Sequence, residues 1–307
     1  NILIFTKSKK KLKYNFFYLL QHIVKNIISS KFSLKKIIHK TSWFTEFSSI
    51  TCLNIKKYIK DNTKIVIMPY EGQPFQNTIF KTCKEINNKI KTIGYVHSFP
   101  VGLPTNFIYR NGAPEELIVN GDDQYQCFKN HLNWNSKRIK ILPSIRFKKR
   151  NSEDMAGYIY LPITINSTDV IINSLENFIV NNREITLPNL IVRNHPLAGS
   201  SKKHLKLIKQ MDNLLTKYNS FFSKKNNIVK ISIFIGATGS IMEALERGIE
   251  VLHICEDPIL LSYSSDLWPS IKVEEINHNT FKYQLLKKGH LIQFGDDDKI
   301  FENSYLN

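Results

Sequence analysis

The chain has 307 residues, 42% of them apolar and 22% charged. That composition is globular, and the length exceeds what one ordinary core holds, so two domains are expected. A formal net charge of +17 calls for an anionic partner, whether nucleic acid, anionic lipid or a phosphorylated substrate. Nucleic acid is set aside, because the sequence has no aromatic platform, recognition helix or zinc frame.

The charge is concentrated at the start. Residues 1–60 carry thirteen Lys, with Glu46 as their one acid. Within them Tyr14–Ser29 reads as a helix, with Phe16, Phe17, Leu20, Val24, Ile27 and Ile28 at helical spacing. His22 and Lys25 interrupt it, and it is too short to span a bilayer. It can lie on an anionic membrane surface or pack on a core. No secretory leader is visible. The chain is therefore expected in the cytoplasm, either free there or peripheral on the inner face of the cytoplasmic membrane. Cys52, Cys83, Cys127 and Cys255 stand far apart, show no zinc spacing, and suit a reducing compartment.

Strand and helix signals then alternate, which predicts parallel sheets covered by helices. Strands are expected at Lys64–Met68, Thr92–His97, Glu116–Asn120 and Arg138–Leu142. Helices are expected at Phe75–Asn88 and from an Asp122 cap to Asn133. The polar stretch Phe147–Met155 separates two αβ-patterned halves, 1–150 and 151–307. The second half has predicted strands Gly157–Leu161, Leu190–Arg193, Val229–Ile235 and Glu250–Ile254. Its predicted helices are Thr168–Asn181, capped by Ser167 or Thr168, then Lys202–Lys217 and Ile241–Arg247, the last ended by Gly248.

In open α/β sheets ligands bind beyond the carboxyl ends of the strands, so the loops after strands hold the candidates. Glu71, in Pro69–Pro74, can accept a proton from an acceptor hydroxyl, and Gly72 permits close approach. His97 and Ser98 can contact an acceptor hydroxyl or phosphate. Pro196 fixes the backbone that aims His195, which can hydrogen-bond a leaving phosphate, with Arg193 adding positive charge. Thr238, Gly239 and Ser240 form a small-residue strand-to-helix turn suited to a phosphate. Glu243, one turn into the following helix, can reach ribose hydroxyls. No Asp-x-Asp run follows a strand, so no metal and no cofactor are expected. Asp296–Asp298 reads as a solvated turn.

These motifs resemble the GT-B glycosyltransferases, and within them the bacterial sialyltransferase-like and Kdo-transferase-like enzymes. The matching residues are Glu71-Gly72, His195-Pro196 and Thr238-Gly239-Ser240, with Ser240, Glu243, Ala244 and Gly248 similar to a ribose-contacting helix. The likeness spans roughly residues 64–255. It departs in having one acid at Glu71 where two adjacent acids are common, and Glu250 where proline is common. The resemblance implies two Rossmann-like domains with a cleft between them, the first on the acceptor side and the second holding the nucleotide sugar. It implies Glu71 as base, His195 assisting the departing CMP, and the Ser/Thr turn on its phosphate. The expected reaction is transfer of a sialic-acid-like or Kdo-like sugar from a CMP donor to a surface glycan or glycolipid of capsule or lipopolysaccharide. The competing readings are a CDP-polyol phosphotransferase, a sugar-nucleotide epimerase, and a non-catalytic basic polyanion binder.

Overall fold

Short β-branched runs alternate with amphipathic segments, and in a computed structural model the runs pair mostly as parallel strands. The structure describes residues 2–4, 16–29, 33–34, 48, 51–52, 55–56, 58–60, 62–149, 155–181, 187–188, 190–196, 198, 201–219, 222–223, 230–295 and 304–305. Most of the Lys-rich start, the middle of the expected polar link and Asp296–Asp298 lie outside the described residues. Close contacts divide the chain into two units. The first is Asn1–His97, Thr105–Val119 and Phe128–Lys140, and the second is Ser98–Pro104, Asn120–Cys127 and Ile141–Asn307.

The first unit holds β1 (Ile2–Ile4), α1 (Phe16–Ser29), β2 (Ile65–Pro69), α2 (Pro74–Ile86), β3 (Lys91–Tyr95), β4 (Glu116–Val119), the end of α3 (Asp122–His131) and β5 (Ile139–Ile141). Its sheet runs in chain order, β1-β2-β3-β4-β5, and β1 to β4 are parallel neighbours. Val66, Ile67, Ile93, Leu117 and Ile118 are buried. Strands covered on both faces read as continuous apolar runs rather than alternating ones. Pro74 opens α2, where its missing N–H costs nothing. An aromatic core of Tyr70, Phe80, Phe107, Phe128 and Trp134 packs through tilted and edge-on pairs, and the Trp134 indole donates to the Phe107 carbonyl at 2.7 Å.

The second unit holds β6 (Ser144–Lys148), β7 (Tyr158–Tyr160), α4 (Thr168–Asn181), β8 (Leu187–Pro188), β9 (Ile191–Arg193), α5 (Lys202–Lys217), β10 (Phe222–Ser223), β11 (Ile231–Ile235), α6 (Ser240–Glu246), β12 (Glu250–Ile254), α7 (Pro258–Leu261), β13 (Ile271–Asn277), β14 (Thr280–Leu285) and β15 (Phe294–Gly295). Its main sheet has the order β13-β14-β12-β11-β7-β9. The strands β12, β11, β7 and β9 are parallel, and β14 and β13 add antiparallel at the β12 edge. The core lies between this sheet and the helices α4 and α5, around Ile159, Ile233, Leu175, Phe178, Leu207 and Met211. On α5, His204, Leu207, Met211 and Leu214 are buried at helical spacing.

The chain is thus an α/β protein with parallel sheets and covering helices. The elements α4, α5 and β12 match their predicted spans, and the other predicted elements differ at their ends by one or two residues. Two local expectations change, and the choice of cap for α4 is decided. Asp122 is the first residue of α3 rather than its cap. Ser167 caps α4, accepting from Val170 N–H at 3.4 Å. Phe147, expected in a polar link, is a buried residue of β6, which pairs with β15.

Candidate functional site

In the first unit, the register of two strands brings two candidates together. Pro69 of β2 lies opposite Tyr95 of β3. Glu71 and His97 each stand two residues beyond those positions, so both leave the same sheet edge side by side. Glu71 Oε1 lies 3.3 Å from His97 Nε2. A carboxylate only accepts, so this ring nitrogen is the donor. Both side chains are partly exposed, 43% for Glu71 and 32% for His97, so each can meet a solute.

The loop beneath Glu71 is fixed from several directions. Gln76 Oε1 accepts from the N–H groups of Glu71 and Gln73 at 2.9 and 3.0 Å, and Gln76 Nε2 donates to the Pro69 carbonyl at 2.9 Å. Asn106 Nδ2 donates to the Glu71 carbonyl. Buried Tyr70 donates its hydroxyl to Asn77 at 2.9 Å, and burial pushes its pKa up to about 12. Gly72 has φ +69°, and a Cβ there would sit 2.0 Å from the Asn106 carbonyl oxygen, so only glycine fits. The backbone that carries Glu71 is therefore held from both sides of the loop.

In the second unit, the chain runs outward from β7 to β9, then returns to place β11 on the other side of β7 and continues to β12. The order therefore reverses between β7 and β11. Loops leaving a reversal point diverge and open a crevice at the carboxyl ends of the strands, where α/β sheets hold nucleotides. The two loops there are Leu161–Ser167 and Gly236–Ser240. Gly236 has φ +67°, and a Cβ on it would lie 3.2 Å from the Pro162 side chain.

Buried side chains hold the carbonyls of the Gly236–Ser240 turn. His253 Nε2 donates to the Gly236 carbonyl at 2.8 Å, and the Tyr263 hydroxyl shares its one proton between the Pro100 carbonyl at 3.1 Å and the Thr238 carbonyl at 3.3 Å. Tyr263 N–H bonds the Tyr283 hydroxyl at 3.0 Å, and that hydroxyl stands 3.2 Å from His253 Nδ1. This assigns the His253 proton to Nε2 and leaves Nδ1 to accept. Burial lowers the His253 pKa to about 4, against the Gly236 hydrogen bond, which raises it. The Thr238 hydroxyl accepts from Ser240 N–H at 3.3 Å. No hydrogen bond engages the N–H groups of Ala237, Thr238 and Gly239 among the described residues, so the turn has donors to offer an anion.

The remaining candidates lie on other strand-end loops or are engaged by neighbouring side chains. Phe99, next to Ser98, packs its backbone on Gly239, where a Cβ would lie 2.8 Å from the Phe99 carbonyl. His195 follows β9, its N–H bonded to Asn194 Oδ1 at 3.0 Å and its carbonyl accepting from Ala198 at 2.9 Å. Pro196 is exposed within that turn. The Arg193 guanidinium lies over the Tyr158 ring at 3.7 Å, a cation–π contact. Glu243 Oε1 takes two bonds from Arg247, at 2.8 and 3.2 Å.

Four residues around the crevice were not singled out in the sequence. Pro162 borders Gly236. Buried His204, on the first turn of α5, bonds the Pro162 carbonyl through Nε2 at 2.8 Å. His253 and Tyr263 support the turn from beneath. Pro162 carried a usable signal, a proline directly after a strand. The other three act through contacts across the sheet, which local pattern does not encode. Among the described residues no group of His, Cys, Asp and Glu is arranged to hold a metal ion, and no helix is long and apolar enough to cross a membrane. No protein-family model matches the chain, and no curated protein matches its sequence.

Proposed function

We propose that the chain is a glycosyltransferase of the GT-B kind, with an acceptor-side half (1–150) and a nucleotide-sugar half (151–307). The observation that carries this reading is the Glu71–His97 pair on its constrained loop. It supplies a proton acceptor, and an exposed carboxylate at that edge would repel a polyanion. The order reversal between β7 and β11, with the donor-rich Gly236–Ser240 turn, supports a nucleotide on the other half.

In this reading Glu71 takes the proton of an acceptor hydroxyl, with His97 orienting the carboxylate. The hydroxyl oxygen attacks the anomeric carbon. The bond from that carbon to the nucleotide phosphate oxygen breaks, and its electron pair leaves with the nucleotide. Thr238, Gly239 and Ser240 hold the phosphate, and His195 hydrogen-bonds it as charge develops. The donor class is a CMP-linked sialic-acid-like or Kdo-like sugar, and the acceptor a bacterial surface glycan or glycolipid.

A thermal-shift screen of CMP, CDP, UDP, GDP and ADP, with and without Mg²⁺, tests this reading. A ligand at ~100 times its Kd stabilises the fold by about 2.7 kcal/mol. The expected result is a metal-independent response to CMP, followed by turnover of a CMP-ulosonic donor. A CDP response with transfer of a polyol phosphate would replace the reading with phosphotransfer. No nucleotide response would leave the basic-binder reading in its place.

A further inference from the structure

The amphipathic helix α1 carries two apolar rows. Ile23 and Ile27 are half-buried, whereas Leu20, Val24 and Ile28, one turn apart along the helix, are 48%, 47% and 65% exposed. Leu34, a little further on, is also exposed. The row beside the exposed stripe is polar: Gln21, Lys25 and Ser29. Three successive large aliphatic side chains left in water on one helix are a surface awaiting an apolar neighbour.

The surrounding sequence identifies that neighbour. Five Lys lie in residues 7–13, directly before α1, and Lys31, Lys35, Lys36 and Lys40 follow it. Glu46 is the one acid in the first sixty residues, against thirteen Lys. A second copy of this segment would bring two strongly cationic stretches together. A surface with apolar depth and negative headgroups matches both the stripe and the lysines.

We propose that the Leu20–Val24–Ile28 stripe of α1 docks on an anionic lipid bilayer. The 14-residue helix would lie in the plane of the interface for about 21 Å. Its aliphatic row enters the headgroup–acyl boundary, and the lysines on either side in sequence are drawn to the anionic surface. This docking does not depend on the reaction proposed above.

The test is co-sedimentation of the full chain with vesicles of phosphatidylcholine alone, or with about one third phosphatidylglycerol. Binding is expected on the anionic vesicles only, falling roughly tenfold or more as salt rises from 0.1 to about 0.5 M. The triple variant L20Q/V24Q/I28Q should bind the anionic vesicles about tenfold more weakly. Its melting curve should match wild type, since the three side chains are exposed. Equal binding to neutral vesicles, or an unaffected triple variant, overturns the proposal. So does a self-association that the triple variant abolishes, which would assign the stripe to a second copy.

Discussion

The two units use the same materials, short parallel strands with helical crossovers, and offer a ligand different things. The first sheet follows chain order, β1 to β5, with no reversal among its described strands. Its candidate site is made of side chains, the Glu71–His97 pair on a backbone loop locked by Gln76 and Asn106. The second sheet reverses between β7 and β11. Its candidate site is mainly backbone, the Gly236–Ser240 turn held from behind by His253 and Tyr263. Neighbour order decides which kind of site a sheet edge supports. Consecutive strands place adjacent loops side by side and let their side chains meet, whereas a reversal parts the loops and exposes backbone donors between them.

The sharpest way to break that comparison is Glu71→Gln. If the first unit supplies the proton acceptor, turnover should fall on the order of 10²–10³-fold, with nucleotide affinity unchanged. The fold should be unaffected, because the carboxylate is 43% exposed and the loop is held through its backbone. Steady-state kinetics beside nucleotide titration separates the two effects. A variant with normal turnover and weakened nucleotide binding would reverse the roles assigned to the units.

Paired glycine substitutions compare how rigid the two sites are. Gly72→Ala places a methyl 2.0 Å from a backbone oxygen at φ +69°, whereas Gly236→Ala meets only the Pro162 side chain at 3.2 Å, at φ +67°. The left-handed conformation costs about 1 kcal/mol or more in either case. The backbone clash adds to that at Gly72 alone, so a total of about 3 kcal/mol or more is expected there. Chemical denaturation of the two variants should show Gly72→Ala as clearly the worse. Similar losses would mean that the first loop yields as easily as the second.

These sites were unevenly legible in the sequence. The strand-end positions of Glu71, His97, His195 and Thr238 could be read, because β-branched runs ending in Pro, Gly or His mark where parallel strands stop. That Glu71 touches His97 could not, since it depends on β2 and β3 being neighbours in one register. The i,i+4 spacing of Glu243 and Arg247 was in view and foretells their pairing, yet Glu243 read more readily as a ribose contact. The β13–β14 hairpin escaped for a physical reason: the register shifts between Glu275 and Asn277, breaking the alternation that signals a strand. The buried Glu246 carboxylate accepts from the N–H groups of Gly289, Leu291 and Ile292, more than forty residues away, beyond any local pattern.

Acidification probes the support beneath the second site. His253 is buried and neutral, with its pKa lowered from the ordinary 6.5 to about 4. Between those values the unfolded chain binds the proton and the folded chain does not. The His253 contribution is therefore complete above pH 6.5 and is lost as the pH falls through about 4. It amounts to about 3 kcal/mol, on the order of what such a shift represents. Urea melts at pH 7, 5.5 and 4.5 should show wild type losing more stability than His253→Gln, which keeps an amide donor for Gly236 but does not titrate. Parallel losses in the two proteins would show that His253 takes no part in the acid response.

The smallest expected effect belongs to Thr238→Val. Its hydroxyl accepts from Ser240 N–H at a weak 3.3 Å, and the turn is also tied through the Gly236 and Thr238 carbonyls, so the backbone should persist. What the variant lacks is one hydroxyl donor to a phosphate. About tenfold weaker nucleotide binding, 1.4 kcal/mol, is expected, with turnover at saturating donor within about twofold of wild type because uniform binding lowers KM and leaves kcat alone. Isothermal titration with the nucleotide, beside kcat at saturation, reads both quantities. A change in kcat without one in affinity would put Thr238 on the developing charge of the transition state. The second unit would then contribute to the chemical step itself, and the division between side-chain chemistry and backbone cradle would fail at that residue.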